Sequence, residues 1–300
     1  MGPTASGKTA LTVELAKQVA CEVVSVDSAL IYRGMDIGTS KPDPTILRTI
    51  PHHLIDICDP SEFYSAAQFC ADATRVIDEI LSKGKLPVLV GGTVLYFRAL
   101  QYGLSTLPTA NTEVRQHIET RAKQLGWQAL HHQLQQIDPQ SANRIHQNDP
   151  QRIQRALEVY ELTGHTMTYW WQQQSKTKCT FPVQKFIINP LNRDILHHRI
   201  ATRFADMLGN GLIEEIRRFY AREDLHLQLP SMRCVGYRQV WEYLAGESSW
   251  SEMKLRAIAA TRQLAKRQLT QLRTEKGAIW YHSSQKLLDD ILKSLENVPK

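Results

Sequence analysis

Apolar residues recur with two different periods along the first third of the chain, which predicts strands that alternate with helices. Runs of β-branched or otherwise apolar residues predict three strands, at 22–27, 53–58 and 86–90. An apolar stripe with helical spacing follows Thr9, and Ser65 and Gln68 form a capping box ahead of a second amphipathic helix. This order of elements favours an α/β fold with a doubly wound, mostly parallel sheet.

The pattern then changes to helices alone. Asn148, Asp149 and Pro150 mark the start of one helix, because a capping residue there precedes a proline in the first turn. Trp170 and Trp171 close this region, and we expect them to pack in its core rather than to stack on bases. We therefore expect an all-helical insertion subdomain, and the chain divides into a first core part at 1–110, the insertion at 111–185 and the completed core at 186–300.

The final part combines a strand, predicted at 183–188, with strongly basic helices. Arg199 and Arg203 share one face of the helix after this strand. A longer helix is predicted from Ser251 to about Thr274. Between Lys254 and Lys276 the chain has one acid, Glu275, and seven basic residues: Lys254, Arg256, Arg262, Lys266, Arg267, Arg273 and Lys276. Such a stripe fits a polyanion better than it fits an ordinary salt-bridged helix, and a merely solvated face is the alternative.

Composition narrows the class of protein. The 300 residues are 42% hydrophobic, which is enough for a sizeable core, and the formal charge is +6. No apolar run approaches the roughly 18 residues of a membrane span, and no secretory leader is evident, so we expect no membrane partner and a cytoplasmic location. Five scattered cysteines argue against a disulfide framework and against a zinc site: Cys21, Cys58, Cys70, Cys179 and Cys234.

Residues 2–9 read GPTASGKT and match the P-loop pattern G-x-x-x-x-G-K-[ST] at every fixed position. In that motif glycines let the backbone N–H groups turn toward a phosphate, while Lys8 adds a positive charge and Thr9 offers a hydroxyl to Mg²⁺. A P-loop ordinarily follows a buried strand. Since only Met1 precedes Gly2, we expect that strand to be absent or to have been lost at the start of this chain.

Asp27 ends the first predicted strand. In open α/β sheets the carboxyl ends of the strands form the edge where ligands bind, so Asp27 and the P-loop are expected at one edge. The third strand runs into Gly91, Gly92 and Thr93 at the same edge. The loop at 28–44 contains glycines and prolines, and we expect it to be irregular, exposed and able to contact a substrate.

Six blocks of the chain together resemble the tRNA dimethylallyltransferases, the tRNA isopentenyltransferase family. They are GPTASGKT at 2–9, SVDSALIYRGMDIGTSKP at 25–42, LVGGTVLYF at 89–97, NDPQRIQRALEVYELTG at 148–164, PSMRCVGYRQVWEYL at 230–244 and ATRQLAKRQLTQLR at 260–273. The resemblance spans nearly the whole chain. The chain lacks the C-terminal zinc finger of eukaryotic relatives, which favours a bacterial-type enzyme.

The resemblance implies that the protein transfers a dimethylallyl group from dimethylallyl diphosphate to the exocyclic amine of the adenosine 3′ to the anticodon of tRNA, with diphosphate released. Asp27 resembles the general base, Thr93 lies close to the adenine, and Lys8 and Arg203 bind the leaving diphosphate. Mg²⁺ at Thr9 is the implied cofactor. The diphosphate-binding residues implied by the resemblance are Gly2, Pro3, Thr4, Ala5, Ser6, Gly7, Lys8 and Thr9.

The resemblance also implies a tRNA-binding surface for the anticodon stem-loop. Because a stacked adenine cannot reach a buried donor, the base is expected to flip into a channel. The implied contacts are Asp27, Ser28, Ala29, Leu30, Thr93, Arg115, Gln151, Arg152, Ile153, Gln154, Arg155, Arg233, Cys234, Val235, Gly236, Tyr237 and Arg238. Nothing in the sequence indicates an obligate dimer, so a monomer is expected.

Three alternative functions remain open beside this interpretation. A P-loop kinase or NTPase would use the same loop on a nucleotide, although the strand at 86–90 runs into Gly91-Gly92-Thr93 where a Walker-B strand often ends in aspartate. A non-catalytic RNA-binding protein would explain the basic helix but would leave Lys8 and Asp27 without a role. Related prenyltransferases modify free adenine nucleotides, whereas the blocks at 148–164 and 233–238 favour tRNA.

Overall fold

The computed structural model describes residues 1–104, 107–173, 181–190, 192–282 and 284–296. Cys179 and most of the polar stretch at 172–180 lie outside these ranges. The chain forms two compact units, the first made of Met1–Leu100 and Thr180–Lys300 and the second of Gln101–Cys179. From the sequence we placed the corresponding boundaries at 111 and 185.

Every strand pair of the described structure is parallel. The first sheet has the order β2-β1-β3 and the second pairs β4 with β5. The strands are β1 Cys21–Val26, β2 His52–His53, β3 Leu86–Gly91, β4 Lys185–Ile188 and β5 Ala278–Tyr281. All six residues of β1 are buried, as expected of the central strand of a parallel sheet. The α/β class and the parallel pairing are therefore confirmed.

The second predicted strand is largely wrong. Of residues 53–58 only His53 belongs to β2, because Leu54 and Asp56 adopt left-handed backbone conformations with φ of 61° and 57°. An extended strand cannot pass through such residues. The amides of Ile57 and Cys58 instead donate to the carbonyl of Ile31, at 2.8 and 2.9 Å. The segment thus pairs with a loop and not with the sheet.

The helices outnumber the strands and account for most of the chain. They are α1 Lys8–Ala16, α2 Pro44–Thr49, α3 Ala66–Ser82, α4 Val94–Tyr102, α5 Thr112–Leu125, α6 Trp127–Ile137, α7 Pro139–Arg144, α8 Pro150–Thr163, α9 Met167–Gln172, α10 Arg193–Gly209, α11 Leu212–Tyr220, α12 Tyr237–Leu244, α13 Trp250–Leu272 and α14 Ser284–Glu296. Within the described residues, no helix combines the length and the apolar character needed to cross a membrane.

Helix α3 shows how the sequence pattern becomes a packed core. The capping box of Ser65 and Gln68 starts it as predicted, and its buried face, which includes Phe69 and Ile80, packs with Val24 and Val26 of β1. Each such large side chain contributes about 1.5–3 kcal/mol when fully buried. The apolar stripe after Thr9 holds only in part, because α1 ends at Ala16.

The second unit has a core of its own, formed by α5 to α9. Its largest fully buried side chains include Ile118, Leu130, Leu134, Ile153 and Leu157. Trp170 and Trp171 pack against this core, as predicted. Helix α8 is capped by the carboxylate of Asp149, which accepts from the amide of Arg152, and it ends at Gly164 in a left-handed conformation.

Candidate active site

The GKT loop, residues 2–9, makes a tight turn into the amino end of α1. Ala5 and Gly7 both have positive φ, 61° and 96°. The backbone of Gly2 is so close to β4 that a Cβ there would lie 2.5 Å from the carbonyl oxygen of Ile188. The loop therefore presents the amides of the first turn of a nine-residue helix, an arrangement that suits an anion.

Two positively charged side chains lie near this loop. The ammonium of Lys8 donates to the carbonyl of Pro3 across the loop at 2.7 Å. Burial lowers the pKa of Lys8 to about 8, while the negative charge of Asp27 raises it and the positive charge of Arg203 lowers it. Burial also lowers the pKa of Arg203. Asp27 and Arg203 thus both lie near Lys8, and the net positive charge of the three groups suits a diphosphate.

Asp27 lies at the carboxyl end of β1, as predicted. Burial raises the pKa of its carboxyl group, and this outweighs the opposing effects of the amides of Ala29 and Leu30 and of the charge on Lys8. The amide of Ala29 donates to Oδ1 at 2.9 Å. The carboxylate is therefore fixed in orientation and accepts a proton more readily than an exposed aspartate.

Thr93 meets the end of β1 from the neighbouring strand. Its amide donates to the carbonyl of Val26 at 3.2 Å, and its hydroxyl oxygen accepts from the amide of Ser28 at 3.1 Å. This approach requires the glycine at 91, because a Cβ there would lie 1.9 Å from the carbonyl oxygen of Val26. The structure thus brings Thr93 and the Asp27–Ser28 turn together at one edge of the sheet.

The loop at 28–44 is irregular as predicted, but the expectation that it is exposed is wrong. Ile31, Tyr32 and Met35 are almost completely buried in the largest core cluster of the first unit. The ammonium of Lys41 is also buried and bonds with the carboxylates of Asp36 and Asp56. This loop is therefore a packed element and not a mobile flap.

A carboxylate that the sequence analysis missed holds the same loop. Glu215, on α11, is 1% exposed and accepts from three consecutive backbone amides, those of residues 36, 37 and 38, at 3.0, 2.7 and 3.1 Å. It also accepts from the hydroxyl of Tyr237. A buried carboxylate needs such partners, because an unpaired charge there would be very costly.

The block at 233–238 has both exposed and buried members. Arg233 and Arg238 are exposed, Cys234 and Val235 are partly buried, and Gly236 is buried. Tyr237 is 0% exposed, which corrects the expectation that its side chain contacts RNA. Its ring fills the space beside Gly38, where a Cβ would lie 2.4 Å from it. Tyr237 instead packs the loop against α12.

The residues of the second unit that were predicted to contact RNA also include both buried and exposed members. Ile153 is completely buried in the core of that unit, so the prediction that it contacts RNA is corrected. Glu158, also completely buried, binds the guanidinium of Arg115 through two hydrogen bonds of 2.9 and 3.1 Å and that of Arg155 at 2.7 Å. Both arginines remain partly exposed, at 41% and 26%. One carboxylate therefore orients both.

The remaining residues of this block face outward. Gln151 is exposed, and 68% of the Arg152 side chain is exposed beside Asp149, 3.5 Å away. Gln154 is held by the neighbouring helix α5, since its amide donates to the carboxylate of Glu119 at 2.9 Å. Of the residues predicted here, Arg152 is thus the most accessible cation.

The basic stripe of α13 is on the surface, as predicted. Within the described ranges, Arg256 is paired with Glu242 at 2.6 Å, whereas no ion pair is formed by five other cations of the stripe: Lys254, Arg262, Lys266, Arg267 and Arg273. The opposite face packs on the GKT loop, because Ala265 contacts the cluster formed by Ala5 and by Leu196 and Ile200 of α10. One helix therefore links the anion site with a positively charged surface.

An open cavity of about 490 Å³ lies elsewhere in the first unit. Ile57, Phe63 and Tyr64 contribute to its wall together with the carboxylates of Glu62 and Asp72. Since these carboxylates would repel a diphosphate, the anion site remains the GKT loop.

Comparison with known proteins decides the family. Residues 30–275 match the family model described as IPP transferase. The chain belongs to this family. The match begins after the GKT loop and Asp27, so the assignment of those residues depends on the motif and on the geometry described above.

Solved structures agree with this IPP transferase membership. The full-length tRNA isopentenylpyrophosphate transferase of Bacillus halodurans is 36% identical, with 98% of this chain and 95% of that chain covered and a TM-score of 0.71. The tRNA Δ2-isopentenylpyrophosphate transferase of Staphylococcus epidermidis is 32% identical over 99% and 98%, with a TM-score of 0.70. A eukaryotic dimethylallyltransferase acting on tRNA shares the fold at 24% identity, with coverage of 99% and 79% and a TM-score of 0.81.

Proposed function

We propose that this IPP transferase moves a dimethylallyl group from dimethylallyl diphosphate to the exocyclic amine of the adenosine 3′ to the anticodon of tRNA, with diphosphate released. The observation that carries the proposal is the position of Lys8, close to Arg203 and also to Asp27, a carboxylate of raised pKa, in a chain of this family. A cationic site for a leaving group and a base for a proton are the two parts that this reaction needs.

The reaction replaces one bond with another. The amine nitrogen attacks the allylic carbon, the bond from that carbon to the diphosphate oxygen breaks, and the amine then loses a proton. Lys8, Arg203 and the amides of the GKT loop stabilise the negative charge that develops on the diphosphate, an effect that is usually a large part of catalysis. The carboxylate of Asp27 accepts the proton, and the hydrogen bond from Ala29 keeps it in orientation.

Thr9 is suited to hold Mg²⁺. It is exposed in the first turn of α1, next to Lys8. Mg²⁺ bound at phosphates keeps several waters and needs few protein ligands, so one hydroxyl is sufficient. When bound, the metal would neutralise charge on the leaving diphosphate.

The RNA would bind through exposed cations on both units. On the first unit these are the unpaired cations of α13 with Arg233 and Arg238, and on the second unit Arg152 with the two arginines that Glu158 orients. We assign the second unit to the anticodon stem-loop. The enzyme would act as a monomer, and it would be located in the cytoplasm with its tRNA substrate.

The test is incubation with labelled dimethylallyl diphosphate and either unfractionated tRNA or AMP, followed by digestion of the RNA to nucleosides. We expect label in a prenylated adenosine from tRNA and none in AMP. Label in AMP alone would assign the chain to free-nucleotide prenylation. ATP hydrolysis without transfer would support the kinase or NTPase alternative.

A further inference from the structure

Helix α13 directs one polar side chain, that of Gln268, toward the active site. Its Oε1 accepts from the backbone amide of Thr4, in the GKT loop, at 2.8 Å. Its Nε2 donates to the carbonyl of Gly92, the residue before Thr93, at 3.1 Å. A single side-chain amide therefore joins the loop of the anion site to the end of β3.

Position 92 is a glycine, and a larger residue there would collide with the side-chain amide of Gln268. A Cβ on Gly92 would lie 2.4 Å from Nε2 of Gln268. The backbone of Gly92 is not in the left-handed region, so conformation alone does not require glycine there. The lack of a side chain thus leaves room for the amide of Gln268 beside the backbone of Gly92.

The helix that carries Gln268 is itself firmly placed. Ala265, one turn earlier, packs with Ala5 of the GKT loop. Lys266 and Arg267, the residues just before Gln268, are exposed on the other side. The same turn of α13 therefore presents cations to the surface and an amide to both catalytic segments.

We propose that Gln268 is a positioning residue for prenyl transfer, which sets the separation between the GKT loop and Thr93. This inference rests on the proposed function, in which the loop holds the diphosphate and Thr93 lies beside the adenine. Reacting groups must approach to about 3–3.5 Å, and a misplacement of about 1 Å costs roughly 100-fold in rate. Gln268 acts through the two backbone groups that it joins.

Two substitutions separate the two hydrogen bonds. Gln268→Glu keeps an acceptor for the Thr4 amide but, when ionised, cannot donate to Gly92. Because the new carboxylate lies at the anion loop and repels a diphosphate, its affinity for dimethylallyl diphosphate should fall about fivefold to tenfold, and its single-turnover rate with tRNA at saturating donor should fall at least about tenfold. Gln268→Met is of similar length and loses both bonds, so the donor affinity should also fall, by about fivefold to tenfold.

The matched control is Gln263→Met, on the exposed face of the same helix. It should equal wild type in donor affinity and in rate. Thermal unfolding of each variant shows whether the fold is kept, and Gln268→Glu carries the test if Gln268→Met does not fold. Wild-type rates in both Gln268 variants, or the same loss in the control, would overturn the inference.

A double substitution tests the contact itself. The new methyl group of Gly92→Ala would lie 2.4 Å from Nε2 of Gln268, so this flexible side chain must move and lose its two hydrogen bonds, and the transfer rate should fall at least about tenfold, as in the Gln268 variants. In the background of Gln268→Ala that clash is gone, so Gly92→Ala should then cost less than about threefold, a non-additive result. Strictly additive losses would contradict the contact. If wild type transfers nothing to tRNA, the proposed function and this inference both fail, whereas an active wild type with indifferent variants removes the inference alone.

Discussion

Lys8 and Asp27 have pKa values that move toward each other, and this determines the expected pH dependence. Burial lowers the pKa of Lys8 to about 8 and raises that of Asp27 above its ordinary range. The charged lysine is therefore lost as the pH rises through about 8, and the basic carboxylate is lost as the pH falls through the raised pKa of Asp27. Both losses lower activity, so kcat/KM for the donor should be bell-shaped.

Lys8→Arg identifies the alkaline limb. Arginine stays charged throughout this range, so the fall near pH 8 should move beyond about pH 10 even if the maximal rate is lower. The pH profile of kcat/KM for dimethylallyl diphosphate is the measurement. An alkaline limb that stays near pH 8 in the variant would assign it to another group.

Asp27→Asn tests the base directly. Asparagine keeps the size and can still accept from the Ala29 amide through its oxygen, but it cannot accept the proton of the amine. The single-turnover rate should fall by about a hundredfold to ten-thousandfold, with donor and tRNA affinities changed only modestly. If a rise in Mg²⁺ concentration alone restored the rate, Asp27 would be a metal-linked residue and not the base.

Candidate residues with a local sequence signal could be proposed from the sequence, and those defined by distant partners could not. The GKT motif and the carboxylate at a strand end led to the prediction of Lys8 and Asp27, since both signals lie within a few positions of sequence. The three backbone amides that Glu215 binds lie 177–179 residues away, and the partners of Gln268 lie 264 and 176 residues away. A single sequence contains no signal that joins such positions.

At the scale of one element, helix α13 is expected to determine the salt dependence of tRNA binding. Each unpaired cation of α13, or Arg273 directly after it, that contacts a phosphate releases counterions on binding, so neutralising Arg262, Lys266 or Arg273 should flatten the log–log salt dependence of tRNA affinity by about 0.7–0.9. Arg256 is the matched control because it is paired with Glu242. Salt titrations of affinity should show little change in slope for Arg256→Gln. Equal slopes in wild type and in all four variants would place this helix outside the RNA interface.

Helices and strands were predicted well where a single hydrophobic or capping pattern specified them. The capping box and apolar face of α3 and the run of β3 were confirmed, because local propensity and burial agree there. The strand at 53–58 failed because the two left-handed residues, Leu54 and Asp56, redirect the chain toward Ile31. Propensity could not reveal that, since both residue types also occur in extended backbone.

At the scale of the molecule, the second unit should fold by itself. Among the described residues, its core cluster is formed by residues between Leu107 and Trp171, so a fragment of residues 101–179 retains these contacts. We expect helical circular dichroism and a single cooperative thermal transition from the fragment. A gradual, non-cooperative melt would show that this unit depends on the first.

The first unit is made of two stretches of chain separated by the second unit, and this has a consequence for biosynthesis. Thr4 is made early, but Gln268 follows 264 residues later. At about 5–20 residues per second, the interval is on the order of tens of seconds. The second unit, once compact, shortens the loop that must close when the two stretches meet. A nascent chain released before α13 is complete therefore has no finished donor site, however well its earlier helices have folded.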